Sequence, residues 1–150
     1  MTAFLPPDQI VAEARTWLGT PRQHQAPMKG VGCDCVGFVR GVISALRSLP
    51  PAIKRTDYSR TPDGVTLLRV CRENLFQVKV SELQVADIMV FSYREHRPQH
   101  LAFAGNYVHG GLSMIHALDS GSDRYGSVVE HHLSPAWRRR IVAVFRVPAA

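Results

Sequence analysis

Apolar positions recur at helical spacing in the first half of the chain and at alternate positions in the second. Ile10, Val11, Ala14, Trp17 and Leu18 share one helical face, so the spacing predicts an amphipathic helix from Asp8 to Leu18, with Gly19 as its C-cap. Thr20 to Gly32 reads as a polar loop. Val36, Val39, Val42, Ile43 and Leu46 then trace a second helix that Pro50-Pro51 stops, with Asp34 as its N-cap and Cys35 in its first turn. Thr61-Pro62-Asp63 starts a third helix that runs to about Asn74, with proline at its first position.

The period then changes. Phe76 to Val80, Asp87 to Tyr93, His100 to Tyr107, Ser113 to Leu118, Val128 to Leu133 and Ile141 to Val147 are strand-like runs. Gly110-Gly111 marks a hairpin turn, and Ser120-Gly121-Ser122-Asp123 a loop. Helices first and a strand meander after predict an α+β fold, with the helices packed on one face of an antiparallel sheet. No repeat, linker or low-complexity segment interrupts the chain, so residues 1–150 are expected to form a single domain.

Composition narrows the classes. At 45% hydrophobic and 20% charged, 150 residues suit a globular core rather than disorder. No run approaches the roughly 18 apolar residues of a membrane span, and membrane insertion is not expected. The start, Met1 to Pro7, lacks a basic region followed by a long apolar stretch. Synthesis in the cytoplasm without a secretory signal is therefore expected, and work outside the cell would need lysis or incorporation into a particle. The net charge of +6 suits a polyanion, either nucleic acid or an anionic cell envelope. The basic residues are scattered, however. Arg138-Arg139-Arg140 reads as a solvated turn, and no recognition motif accompanies the charge, so specific nucleic-acid binding is not expected.

The candidate chemistry centres on Cys35. Unpaired N–H groups and the positive end of the helix dipole would favour its thiolate, and a thiolate with a histidine beside it can attack a carbonyl. In the run from His100 to Ala104, alternation puts His100, Ala102 and Ala104 on one face and Leu101 and Phe103 on the other. The small face leaves room for another element, such as the Cys35 helix. A hairpin about Gly110 pairs residue 116 near residue 104 and puts His116 on the face of His100. His100 is then the candidate base, and His116 the residue that fixes its tautomer.

Structural roles compete with this reading, because a cysteine is often a small buried hydrophobe. Cys33 and Cys35 could bind zinc with His24 or other histidines. Cys-x-Cys lacks the usual spacer and no second ligand pair follows, so no metal is expected. Cys33 is taken as structural. The odd cysteine count, with Cys71 the third, favours reduced thiols over a disulfide framework.

These residues resemble the NlpC/p60 cell-wall peptidases, papain-like cysteine enzymes, over nearly the whole chain. Ala14 to Pro21 is similar to the family's first helix and its exit. Asp34-Cys35-Val36-Gly37 resembles its Asp-Cys-Ser-Gly motif, and Ala86 to Phe91 its Gly-Asp-Leu-Val-Phe-Phe strand. His100 to Phe103 and Met114 to Ala117 resemble the strands of the catalytic histidine and of the third polar residue. The resemblance implies a papain-like fold, no cofactor, and cleavage of peptidoglycan stem peptides beside D-glutamate by Cys35, His100 and His116. It implies that Asp34 receives the substrate's free amine. Arg22 stands where the family usually has a pocket-lining tyrosine, and Val36 replaces the serine. The likeness is closest to the phage-tail and gene-transfer-particle branch, which implies phage-tail-like partners. An amidase or acyltransferase using the same triad, and a non-enzymatic tail component keeping the fold, are the alternatives.

Overall fold

The computed structural model describes residues 2–23, 27–49, 65–92, 98–118 and 126–150. In chain order its elements are α1 (Pro7–Arg15), β1 (Pro27–Met28), β2 (Gly32–Cys33), α2 (Cys35–Leu46), α3 (Thr66–Asn74), β3 (Phe76–Val78), β4 (Ile88–Ser92), β5 (Pro98–Asn106), β6 (Leu112–Leu118), β7 (Ser127–His132), α4 (Pro135–Arg138) and β8 (Ile141–Arg146). Six strands form one antiparallel sheet in the order β3-β8-β4-β5-β6-β7. This is the expected α+β layout. Thr61-Pro62-Asp63, Pro50-Pro51, Tyr93 and the Ser120 to Asp123 loop lie outside the described residues.

The two faces of the sheet are covered differently. Leu101, Phe103, Ile115, Ile88, Val90 and Phe145 pack with α1 and α2 through Ile10, Ala14, Phe38, Val42 and Ile43. Ala102, Ala104, Met89, Phe91, Met114 and Leu133 form a smaller cluster on the opposite face, against Trp137 of α4. The expectation that the Ala102/Ala104 face receives the Cys35 helix is therefore corrected. Leu101 and Phe103 offer a helix far more apolar area to bury than two alanines do, and burial scales with area. The shallow alanine face is covered instead by Leu83, Leu112, Trp137 and Ile141.

Two local expectations also change. The first helix ends at Arg15, three residues before Leu18, because the chain tightens into a turn: Trp17 N–H donates to Ala14 C=O at 3.1 Å, and Thr16 Oγ1 donates to Glu13 C=O at 2.6 Å. Trp17 stays buried while Leu18 turns outward. The β5–β6 hairpin pairs Ala104 with Met114 and Asn106 with Leu112, so it centres on His109 rather than Gly110. A register shift of two keeps every side chain on its own face, and so His116 still shares the face of His100. Gly110 and Gly111 adopt φ of 98° and 75°, the left-handed backbone the turn requires.

Candidate active site

Helix α2 starts where it does because Asp34 caps it. Its backbone is extended (φ −102°, ψ −175°) and its Oδ1 accepts the Gly37 N–H at 2.7 Å. Cys35 is the first helical residue and is half-buried. Residue 33 anchors this start: Cys33 N–H donates to Pro21 C=O and Gln23 N–H to Cys33 C=O, each at 2.8 Å. Cys33 itself is fully buried. The polar loop expected from Thr20 to Gly32 is thus partly extended chain, pinned between β2 and the start of β7 through Pro21 and Ser127.

That pinning positions Arg22. Its N–H donates to Gly126 C=O at 2.8 Å, and Gly126 lies so close that a Cβ there would meet the Arg22 side chain. The guanidinium acts on both neighbouring thiols, favouring their ionised forms. Burial and then the Asp34 carboxylate act in the opposite direction. They push Cys35 up to about 11, against hydrogen bonds from the Leu101 and Val36 N–H groups. The expectation that the helix start alone favours the Cys35 thiolate is corrected: the residue that caps the helix places a like charge beside the sulfur. Cys33 and Cys71, driven mainly by burial, are pushed up to about 12.

The Leu101 N–H interacts with the Cys35 sulfur, one residue along β5 from His100. The thiol therefore meets β5 at the strand backbone, one residue from His100, and not across the alanine face.

His100, buried on β5, lies with Nε2 2.7 Å from Nδ1 of His116 on β6. His116 is fully buried. Burial and the charges of His100 and His131 depress its pKa to about 2, so it is neutral across the working range. Its Nε2 lies 2.8 Å from Nε2 of His131 on β7, and Nδ1 of His131 donates to His132 C=O at 3.0 Å. Three adjacent strands thus carry a continuous row of imidazoles.

Trp137 lies across that row. Its ring centroid is 6.5, 5.5 and 5.9 Å from those of His100, His116 and His131. Ser134 caps α4 by accepting the Trp137 N–H at 3.2 Å, and Pro135 occupies its first turn. His131 and Trp137 are absent from the candidates named from sequence. Alternation along β7 puts Val129 and His131 on one face, and Ser134-Pro135 is a helix-start signal. Only the strand order sets both against His116.

Among the described residues no three His, Cys, Asp or Glu side chains are arranged for a metal ion, and no helix is long and apolar enough to cross a membrane. His24 lies outside them. Asp87, in the segment compared with the family's Gly-Asp strand, is structural. It is buried and accepts from Arg146 Nε at 2.8 Å and Nη2 at 2.9 Å, which ties β4 to β8.

No protein-family model matches the sequence, and no curated protein does. Solved structures are similar. The NlpC/p60 domain of the peptidoglycan hydrolase SagA superposes with a TM-score of 0.61 at 23% identity, over 94% of this chain and 98% of that one. A protein from Staphylococcus aureus Mu50, described as similar to a lipoprotein of the NLP/P60 family, gives 0.62 at 18% identity. An NlpC/p60 family protein from Bacillus cereus ATCC 10987 gives 0.61 at 19% identity. The alignments take in 97% and 95% of this chain but only 43% and 40% of those two, so the chain spans well under half of their length.

Proposed function

We propose that this chain, which has the fold of NlpC/p60 domains, is a cysteine hydrolase that cleaves peptide bonds in peptidoglycan stem peptides. The observation that carries the reading is the contact of His100 Nε2 with His116 Nδ1 at 2.7 Å, on the strand whose next residue, Leu101, meets the Cys35 sulfur. A half-buried thiol at a helix start, held to β5 one residue from a paired imidazole, supplies the two kinds of group that thiol acyl transfer requires.

In the proposed reaction His100 takes the proton of the Cys35 thiol and the sulfur bonds to the substrate carbonyl carbon. The Cys35 N–H, free of the cap bonds that engage Gly37 and Phe38, is the donor offered to the resulting oxyanion. The C–N bond breaks as His100 returns the proton to the leaving amine, leaving a thioester on Cys35. Water attacks the thioester, gives its proton to His100, and the C–S bond breaks to release a carboxylate. His116 accepts the His100 Nε2–H throughout and holds the ring.

With the thiol held high by burial and Asp34, attack depends on proton transfer to His100 rather than on a standing thiolate. Arg22 opposes that penalty and is the second proposed substrate contact. The resemblance makes Asp34 the candidate partner of the substrate's amine, and its Oδ1 also caps the helix. Cleavage beside D-glutamate and a phage-tail setting rest on the sequence resemblance. The test is digestion of purified peptidoglycan with mass analysis of the fragments. New amine and carboxylate ends are expected with the wild type and none with Cys35→Ala. Intact peptidoglycan with the folded wild type would overturn the reading.

A further inference from the structure

The imidazole row has a direction. A backbone carbonyl oxygen only accepts, so His132 C=O obliges His131 to carry its proton on Nδ1. In neutral His131, Nε2 is then an acceptor, and the proton shared at 2.8 Å belongs to Nε2 of His116. A neutral imidazole holds one N–H, so Nδ1 of His116 is an acceptor too. The proton in the 2.7 Å contact therefore belongs to Nε2 of His100. Neutral His100 then carries its one proton on Nε2, and its Nδ1 is an acceptor.

We propose that His131 is a positioning residue: acting through His116, it fixes the proton pattern that keeps Nδ1 of His100 a proton acceptor, the state a base for the thiol must have. Turned the other way, with His116 donating from Nδ1, the row would put the neutral proton of His100 on Nδ1 and leave no base there. His116 alone is symmetric between the two patterns, because both of its nitrogens face other imidazoles. The asymmetry enters at the His132 carbonyl and reaches His116 through His131. Burial makes the distinction matter, since His116 is fully buried and its proton pattern must be settled by these partners.

This proposal rests on His100 being the base, and its test is chosen to separate the two ideas. Histidine labelled with ¹⁵N is incorporated into the wild-type protein, and long-range ¹H–¹⁵N spectra are read at pH 7.5. The expected tautomers are Nδ1–H for His131 and Nε2–H for His116 and His100. His131→Ala should convert His116 to a mixture of tautomers, and His131→Gln, whose amide oxygen can accept, should restore Nε2–H. In the peptidoglycan assay His131→Ala should lower kcat by ~10–100-fold, as a misaligned catalytic group does, with KM little changed and partial recovery in His131→Gln. A His116 Nδ1–H tautomer in the wild type, or an unmixed Nε2–H form in His131→Ala, would overturn the proposal. Expected tautomers in a wild type that leaves peptidoglycan intact would support the proton pattern and sink the hydrolase reading instead.

Discussion

Asp34 Oδ1 accepts the Gly37 N–H at 2.7 Å, so the carboxylate that starts helix α2 stands beside the thiol of that helix's first residue. Capping needs an acceptor, not a charge, and asparagine caps about as well as aspartate. Asp34→Asn should therefore keep the fold while removing the second-largest influence that raises the Cys35 pKa, after burial. The expected result is faster alkylation of Cys35 by iodoacetamide at fixed pH, with an unchanged melting midpoint. An unaltered alkylation rate would show that the carboxylate charge does not govern the thiol.

The three thiols should differ in reactivity. Cys35 is half-buried and its pKa is pushed to about 11, whereas Cys33 and Cys71 are buried and pushed to about 12. Labelling of the native protein should reach Cys35 first. In the wild type its rate should hold up at neutral pH through proton transfer to His100. In His100→Ala it should fall about tenfold per pH unit below the thiol pKa, as the thiolate fraction does. Preferential labelling of Cys33 would remove Cys35 as the nucleophile.

Base and orienter should fail differently. His100→Ala removes the proton acceptor and should be nearly inactive on peptidoglycan. His116→Ala leaves the proposed base and thiol both present and should keep a measurable remnant, with His116→Asn or Gln recovering part of it, since an amide can accept the ring N–H. His109 lies in the hairpin turn and is exposed, and His109→Ala should be active. A dead His109→Ala beside an undiminished His116→Ala would reverse the assignment.

Stability should fall with acid through His116. Its folded pKa of about 2 lies below the ordinary imidazole value of 6.5, so between those values the unfolded chain holds a proton the folded one does not. Stability is then retained above about pH 6.5 and lost as pH falls, at up to about 1.4 kcal/mol per pH unit from this group. Urea midpoints between pH 7.5 and 4.5 should drop less steeply for His116→Asn than for the wild type. Parallel slopes would show that His116 ionises freely in the folded protein.

A fold prediction concerns Gly41. A Cβ built there would run into the six-membered ring of Trp17, so α1 and α2 meet with the indole laid directly on the helix backbone. Gly41→Ala should cost ~1–3 kcal/mol by overpacking, despite alanine's better helix propensity. A raised melting midpoint would contradict the packing.

The helix that begins at Cys35 and the sheet strands were legible because period and caps are local properties: Asp34, Gly110-Gly111 and the alternation through His100 and His116 all act within a few residues. What was not legible depends on layers meeting. Leu101 and Phe103 outbid the alanines for α2 by apolar area, but β5 alone does not say whether a helix or another layer covers each face. His131 enters the row only because β7 lies next to β6, a neighbour relation set by the whole sheet. The thiol's high pKa required knowing that Cys35 is half-buried, whereas its helix-start position pointed the other way.

The indole laid across the imidazole row makes the molecule its own optical gauge. The chain has two tryptophans, and the other, Trp17, sits in the helical core on the far side of the sheet. Protonated imidazole quenches indole emission at the 5.5–6.5 Å separations found for Trp137. In a Trp17→Phe background, fluorescence should therefore respond to the charge on these rings. Proton arrival at His100 during thiol attack could then be timed without a label or a chromogenic substrate.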